Sequence, residues 1–281
     1  MIAVIGASGR SGAALCRALL AEGADLLPVV RDAAKWRATG LPGTPRIADL
    51  TDAAALRTAL AGAEWVVNCA HARHAPAILA AAPADARFVF LGSTRRFSRW
   101  PDDHGDGVHA GEAAFLASGR RGVMLHPTMI YGAEGEDNVQ RLAALLRRLP
   151  LAPLPGGGRA LVQPIHQDDL TACVLSALRQ DWAGPEAIVV AGPRALRYND
   201  FAAMVAHAAG VRPPPVLPIP GAALMALAPL TRLLPRVPRI RAAEVRRLLE
   251  DKAFDITPMR DRLGVTGRSL EEGLRLTFGR A

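Results

Sequence analysis

The chain has 281 residues, half of them apolar and few aromatic, which is ample for a sizeable core and points to one α/β unit with a smaller appended lobe. The net charge is +8, yet the arginines are scattered and form no tail or aromatic-laced stripe, so no nucleic-acid partner is expected. No uninterrupted apolar run reaches the ~20 residues that cross a bilayer, and the start in a core strand predicts no signal peptide.

The opening run Ile2-Ala-Val-Ile5 is apolar and rich in β-branched residues, and reads as a buried strand. Residues 13–22 read as a helix closed by Gly23. Between them stands Gly6-Ala-Ser8-Gly9-Arg10-Ser11-Gly12. A strand, a glycine turn and a helix N-terminus make an anion site, because backbone N–H groups and the helix dipole both favour negative charge there. Glycines also admit a pyrophosphate close to the backbone. The plainer alternative is a tight turn with no ligand. The next strand, over 25–30, leads into Arg31. An acid at such a strand end suits the ribose 2′-hydroxyl of NAD, whereas an arginine suits a 2′-phosphate. With Arg10 and Lys35 nearby, the expected cofactor is NADP(H) in preference to NAD(H).

Further strands are expected over 46–50, 64–70, 87–92 and 122–126, and helices over 53–60, 75–82 and 112–118. Thr51 or Asp52 would cap the first of these helices. Such alternation predicts parallel βαβ units in a doubly wound sheet, with ligands at the carboxyl ends of the strands. The second half predicts an amphipathic helix over 137–149, a proline–glycine loop over 153–159 and a strand over 160–165. A helix over 168–179 follows, with Asp168 and Asp169 read as capping it, and then a last core strand over 187–191. Helices over 201–209, 221–234, 242–250 and 269–278 would form a small lobe. The 221–234 helix is apolar nearly all round and reads as lobe core. Arg232, Arg236, Arg239 and Arg241 flank it, so the alternative for the 221–241 region is a peripheral membrane or partner contact. Cys16, Cys69 and Cys173 lie in apolar segments without metal spacing and read as buried thiols of a reducing, cytoplasmic compartment.

The chain resembles the extended short-chain dehydrogenase/reductases of the NAD-dependent epimerase/dehydratase type over essentially its whole length. The matching pieces are the glycine loop, Asp49-Leu50, Asn68-Cys69-Ala70, Leu91-Gly-Ser93-Thr94, the run from His126 to Gly132, the run from Gln163 to Leu170, and Leu249 to Asp255 followed by Leu263-Gly264. The resemblance implies an α/β Rossmann fold with a mostly helical C-terminal substrate lobe. It implies a dinucleotide-binding core over 1–135 and a mixed part over 136–281. Gly6, Ser8, Gly9, Arg10, Ser11 and Gly12 would hold the cofactor phosphates. Asp49 and Leu50 would border the adenine, Cys69 and Ala70 would line the ribose, and His71 would also belong to the cofactor site. Pro127 and Thr128 would face the nicotinamide, and Ser93 or Thr94 the substrate oxygen. Tyr131, Asn138, Arg141, Gln163 and His166 are the polar candidates for a small-molecule substrate, Gln163 and His166 the likeliest-placed at the cleft.

Active members of that family carry a tyrosine and, four residues on, a lysine. Here those positions fall on His104 and Val108, in a polar glycine-rich stretch that reads as a loop. An oxidoreductase would then take its proton from His104, His71 or water. A silent cofactor-binding regulator and a structural accessory subunit stay open beside it, as do a monomer and a homodimer.

Overall fold

The computed structural model describes residues 1–132, 138–227 and 242–279, apart from the side chains of Leu227 and Glu244. Its first half runs β1 (Ile2–Ile5), α1 (Arg10–Ala21), β2 (Leu26–Val30), α2 (Ala33–Arg37), β3 (Arg46–Ile47), α3 (Ala53–Leu60) and β4 (Trp65–Asn68). It continues with α4 (Ala75–Ala81), β5 (Arg87–Leu91), α5 (Asp103–Ala117) and β6 (Gly122–Pro127). The second half carries α6 (Asn138–Arg148), α7 (Gln167–Arg179), a strand Pro185–Val190 and α8 (Tyr198–Ala208). β1 to β6 and Pro185–Val190 form one seven-stranded parallel sheet, in the order Pro185–Val190, β6, β5, β4, β1, β2, β3. The chain thus winds outward both ways from β1 and β4, and their carboxyl ends mark the switch point where such folds bind ligands.

Both faces of the sheet are covered, which is why its strands read as continuous apolar runs. Val4, Val67, Val89 and Leu125 pack on one face with Leu15, Leu19 and Val174 from α1 and α7. Their neighbours Ala3, Ile5, Val66, Phe88, Phe90 and Met124 pack on the other with α3, α4 and Phe115 of α5. A third cluster joins Tyr131, Val139, Leu146, Phe201, Val205 and Leu274, and forms the core of the helical lobe.

Several local expectations are corrected. Residues 46–50 keep only two residues in the sheet, because Asp49 turns back to take Thr51 N–H. The expected strand over 160–165 is two short ones: Leu161–Val162 pairs with Leu196–Arg197, and Ile165–His166 with Ile130–Tyr131. Pro164 lies between them and has no N–H for a ladder. α7 is capped by His166, whose Nδ1 accepts Asp168 N–H, and not by Asp168. Asp168 and Asp169 instead take Arg268, at 3.1 and 2.9 Å. α5 starts at Asp103, nine residues before the expected start at Glu112, with Asp102 as its cap. The short helices α2 and Thr257–Leu263 were not foreseen. Of the apolar helix expected over 221–234, Gly221–Leu227 is helical, and Arg232, Arg236, Arg239 and Arg241 lie outside the described residues. Among the described residues no helix is long and apolar enough to cross a membrane.

Candidate functional site

The glycine loop is built by contact with its neighbours. Gly6 has φ +74°, and a Cβ there would sit 3.1 Å from Ala70 N and 3.2 Å from the Cys69 carbonyl carbon. A Cβ on Gly12 would fall 2.1 Å from Gly6 O, so only glycine lets α1 close onto the end of β1. Gly9 is the N-cap of α1 and offers no side chain to the helix's first N–H groups. The loop opens onto a cleft of about 530 Å3. Gly6, Ser8, Gly9, Arg31, Asp49, Leu50 and Ala70, all expected to bind cofactor, line that one cleft, together with Lys35. Asp32, Thr51 and His74 line it too and were not expected there. Asp49 accepts both Thr51 Oγ1–H (2.7 Å) and Thr51 N–H (2.9 Å). These bonds, with lesser help from Arg31 and His74, hold its carboxyl below the usual range. Asp32 caps α2 through Ala34 N–H at 2.8 Å.

Of the other residues expected at the cofactor, Arg10, Ser11, Gly12, Cys69, His71, Pro127 and Thr128 lie beyond the lining of this cleft. Ser11 Oγ donates to Gln167 Oε1 at 2.9 Å, which ties α1 to α7. Thr128 is buried and donates to the Gln163 carbonyl.

Beyond β4 and β5 a second set of groups gathers. Ser93 N–H donates to His126 Nδ1 at 3.2 Å, and Ser93 Oγ accepts Arg95 N–H, leaving its own O–H to donate elsewhere. Thr94 Oγ1 donates to the Pro127 carbonyl at 3.2 Å. His126 Nε2 lies 2.9 Å from Glu112 Oε2, and Arg96 Nε 2.7 Å from the same oxygen. Burial works against the Glu112 charge, but His126 and Arg96 outweigh it and keep the carboxyl below its ordinary range. A Cβ on Gly92 would lie 2.4 Å from His126 Nδ1, so that glycine is what lets the ring reach Ser93. His104, far from being in a loop, stands in the first turn of α5, with its Nδ1 3.1 Å from His71 Nε2. Val108 is buried against the sheet at 2% exposure.

Residues 6–119 match a family model described as NAD(P)H-binding. That segment, under half of the chain, is thus similar to NAD(P)H-binding domains. The fold of the whole chain is Rossmann-like, a seven-stranded parallel sheet between helices. It superposes on an NADPH-dependent quinone oxidoreductase from Escherichia coli, solved with NADPH, at TM-score 0.76 and 19% identity, covering 98% of both chains. It superposes equally on a UDP-glucose 4-epimerase from Thermotoga maritima, solved with UDP-glucose, at TM-score 0.76 and 16% identity, covering 99% of this chain and 97% of that one. An uncharacterized protein of Mycobacterium tuberculosis is 28% identical over 276 residues, 94% of this chain. The chain spans 28% of the length of the curated relatives it matches.

The residues expected at the substrate mostly have their polar groups engaged within the protein. Gln163 is 4% exposed; its Nε2 donates to the Gly192 carbonyl and its Oε1 accepts Phe254 N–H. It thus joins the lobe to the sheet instead of facing the cleft. Asn138 Nδ2 donates to the Ile130 carbonyl. Tyr131 is buried against His166, their rings 5.2 Å apart, and burial pushes its phenol above the usual range. His166 is itself 5% exposed. The Glu112–His126–Arg96 cluster escaped sequence reading, because its members come from three elements and none carries a local motif.

Proposed function

We propose that the protein is an NADPH-dependent oxidoreductase acting on a small, partly apolar carbonyl or quinone-type substrate without the usual tyrosine–lysine dyad. The observation that carries this reading is the pairing of a cation-flanked cleft at the glycine turn with His104 and Val108 on α5, where Val108 is buried and brings no charge. The residues present fit the cofactor. The turn needs glycine for the positive φ of Gly6 and for the close approach at Gly12, and no side chain caps α1. Gly6, Ser8 and Gly9 would hold its phosphates, Asp49 and Leu50 would border the adenine, and Pro127 with Thr128 would stand at the nicotinamide end. When bound, that group supplies the hydride. Ser93 keeps an O–H for the substrate oxygen. The printed description of the E. coli neighbour, an NADPH-dependent quinone oxidoreductase, supports the substrate class. A cytoplasmic setting fits the free, buried thiols of Cys16 and Cys173. The second reading, a cofactor-bound sensor or accessory subunit, is favoured by the absence of a cation at Val108 and predicts nucleotide binding without turnover.

Cofactor choice tests the first part. Arg31 and Lys35 line the cleft, while Asp32, the neighbouring acid, already accepts Ala34 N–H. NADPH is therefore expected to bind more tightly than NADH. Arg31→Ala is expected to cost NADPH about 10- to 100-fold, the scale of one lost charged hydrogen bond, with little effect on NADH. Calorimetric titration in which the wild type binds both equally would overturn the preference.

A further inference from the structure

α5 is an improbable helix. Its first nine residues include Gly105, Gly107 and Gly111, each costing about 1 kcal/mol against alanine in a helix interior. All three are used for close approach. A Cβ on Gly105 would lie 2.9 Å from Arg95 O, on Gly107 2.9 Å from His71 Cε1, and on Gly111 2.1 Å from Ala72 O. The glycines therefore press α5 onto the turns that follow β4 and β5, and that contact brings His71 to His104.

The tautomers of the pair follow from its neighbours. His71 caps the turn Ala72–His74, and its Nδ1 accepts Arg73 N–H at 3.1 Å and Arg73 Nε–H at 3.3 Å. Nδ1 is thus an acceptor, and in the neutral ring the proton sits on Nε2. Arg73 Nη2, which can only donate, also lies 3.4 Å from Nε2; that contact is longer than the 3.1 Å backbone bond into Nδ1 and than its own 3.3 Å bond to the Asp103 carbonyl, so the backbone bond decides the tautomer. His71 Nε2–H points at His104 Nδ1, 3.1 Å away, which makes His104 Nδ1 an acceptor and places the His104 proton on Nε2. Among the described residues nothing bonds His104 Nε2.

We infer that His71 and His104 form a tautomer-locked neutral pair in which His104 Nε2–H is a fixed hydrogen-bond donor for the substrate oxygen, with His71 as its positioning residue. This rests on the oxidoreductase reading above and names the group that takes the dyad's place. The pair offers a hydrogen bond and not a proton: among the described residues only Arg73 N–H donors stand behind His71 Nδ1, so nothing resupplies His104, and the proton that completes reduction of the substrate oxygen comes from water. The surroundings keep both rings neutral. Burial lowers His71 to about 4, helped by His104, Arg73 and His74. Burial also lowers His104, with Arg95 and Arg73 adding to it and Asp102 opposing.

The test reads tautomers and turnover separately. Long-range 1H–15N spectra of the full chain labelled at histidine, assigned with His71→Asn and His104→Gln, are expected to show both rings as neutral Nε2–H tautomers at pH 7. His71 should titrate near pH 4 and His104 below the ordinary imidazole value, and His104→Gln should shift the His71 nitrogens. A protonated ring at pH 7, an Nδ1–H tautomer of either, or a His71 signal indifferent to His104→Gln would overturn the pair. In NADPH-dependent reduction of quinones and carbonyls, His104→Ala is expected to lower kcat about 100-fold, the weight of one preorganised donor. His104→Gln, which restores an N–H, should recover most of it. His71→Asn keeps the Arg73 cap and removes the N–H toward His104; it should lower kcat about tenfold at unchanged KM and make it follow an ionisation near neutral pH. Unchanged kcat in His104→Ala would overturn the donor role alone. NADPH binding with no turnover on any acceptor would overturn the oxidoreductase reading and with it the donor role, while the spectra would still decide the pair.

Discussion

Replacing Gly9 by valine is expected to weaken NADPH binding by at least ~100-fold while leaving the fold intact, the scale of one or two charged hydrogen bonds to phosphate. The conformation permits the change: Gly9 sits at φ −78°, ψ 170°, an extended geometry that β-branched residues adopt readily. A Cβ there meets one protein atom within reach, Gly6 O at 3.1 Å, which a few tenths of an ångström relieves. Losing glycine at an N-cap costs about 1 kcal/mol, a fall of about 2–4 °C in Tm for a chain of this size. What valine does block is the approach of an anion to the first N–H groups of α1. Gly12→Ala is the contrast: its Cβ would lie 2.1 Å from Gly6 O, so folding and binding should fail together. Titration of Gly9→Val with NADPH, beside its thermal melt, decides the matter. Native affinity in a folded Gly9→Val would show that the turn holds no pyrophosphate.

The second large effect is expected at Glu112. Its side chain is 7% exposed and is shared by His126, 1% exposed, and Arg96, 20% exposed. Removing one partner of a buried charge pair costs about 3–5 kcal/mol, and the partial exposure of Arg96 places Glu112→Gln near the lower end. The melting temperature should fall by about 6–10 °C. The pH dependence has a definite sign. A carboxyl held below its ordinary value contributes stability that is complete above the unfolded-state pKa of ~4.3 and is lost as pH falls through the lower folded value. The gap between wild type and Glu112→Gln should hold steady from pH 8 down to pH ~5 and close below that. A gap that stays constant to pH 3 would show that the charge of Glu112 contributes nothing. The same change loosens His126, the acceptor of Ser93 N–H, so turnover on a substrate held by Ser93 should fall with stability.

Much of the architecture was legible in the chain. The alternation of apolar runs and helical segments determined a doubly wound parallel sheet, because each strand buries both faces and must be apolar throughout. The glycines at 6, 9 and 12 marked the turn between β1 and α1, because a positive φ at Gly6 and a 2.1 Å backbone approach at Gly12 call for glycine. Helix limits inside the polar stretches were not legible. The sequence Asp103-His-Gly-Asp-Gly107 has poor helix propensity and reads as a loop; it is helical because Asp102 caps it and its glycines dock on the Arg95 and Ala72 carbonyls. Likewise the run over 160–165 looks like one strand, but its halves find partners at Arg197 and Tyr131, on either side of a proline.

The meetings of side chains from different elements were decided only by the tertiary structure. His71 and His104 are 33 residues apart, and Ser11 and Gln167 are 156 apart. Spacing along a chain encodes which face each element buries, since that depends on the element's own period. It does not encode which polar atoms of two elements come within 3 Å, since that depends on how closely their backbones approach. Here the glycines of α5 set that approach, and with it the difference between a solvated histidine and one held against a partner.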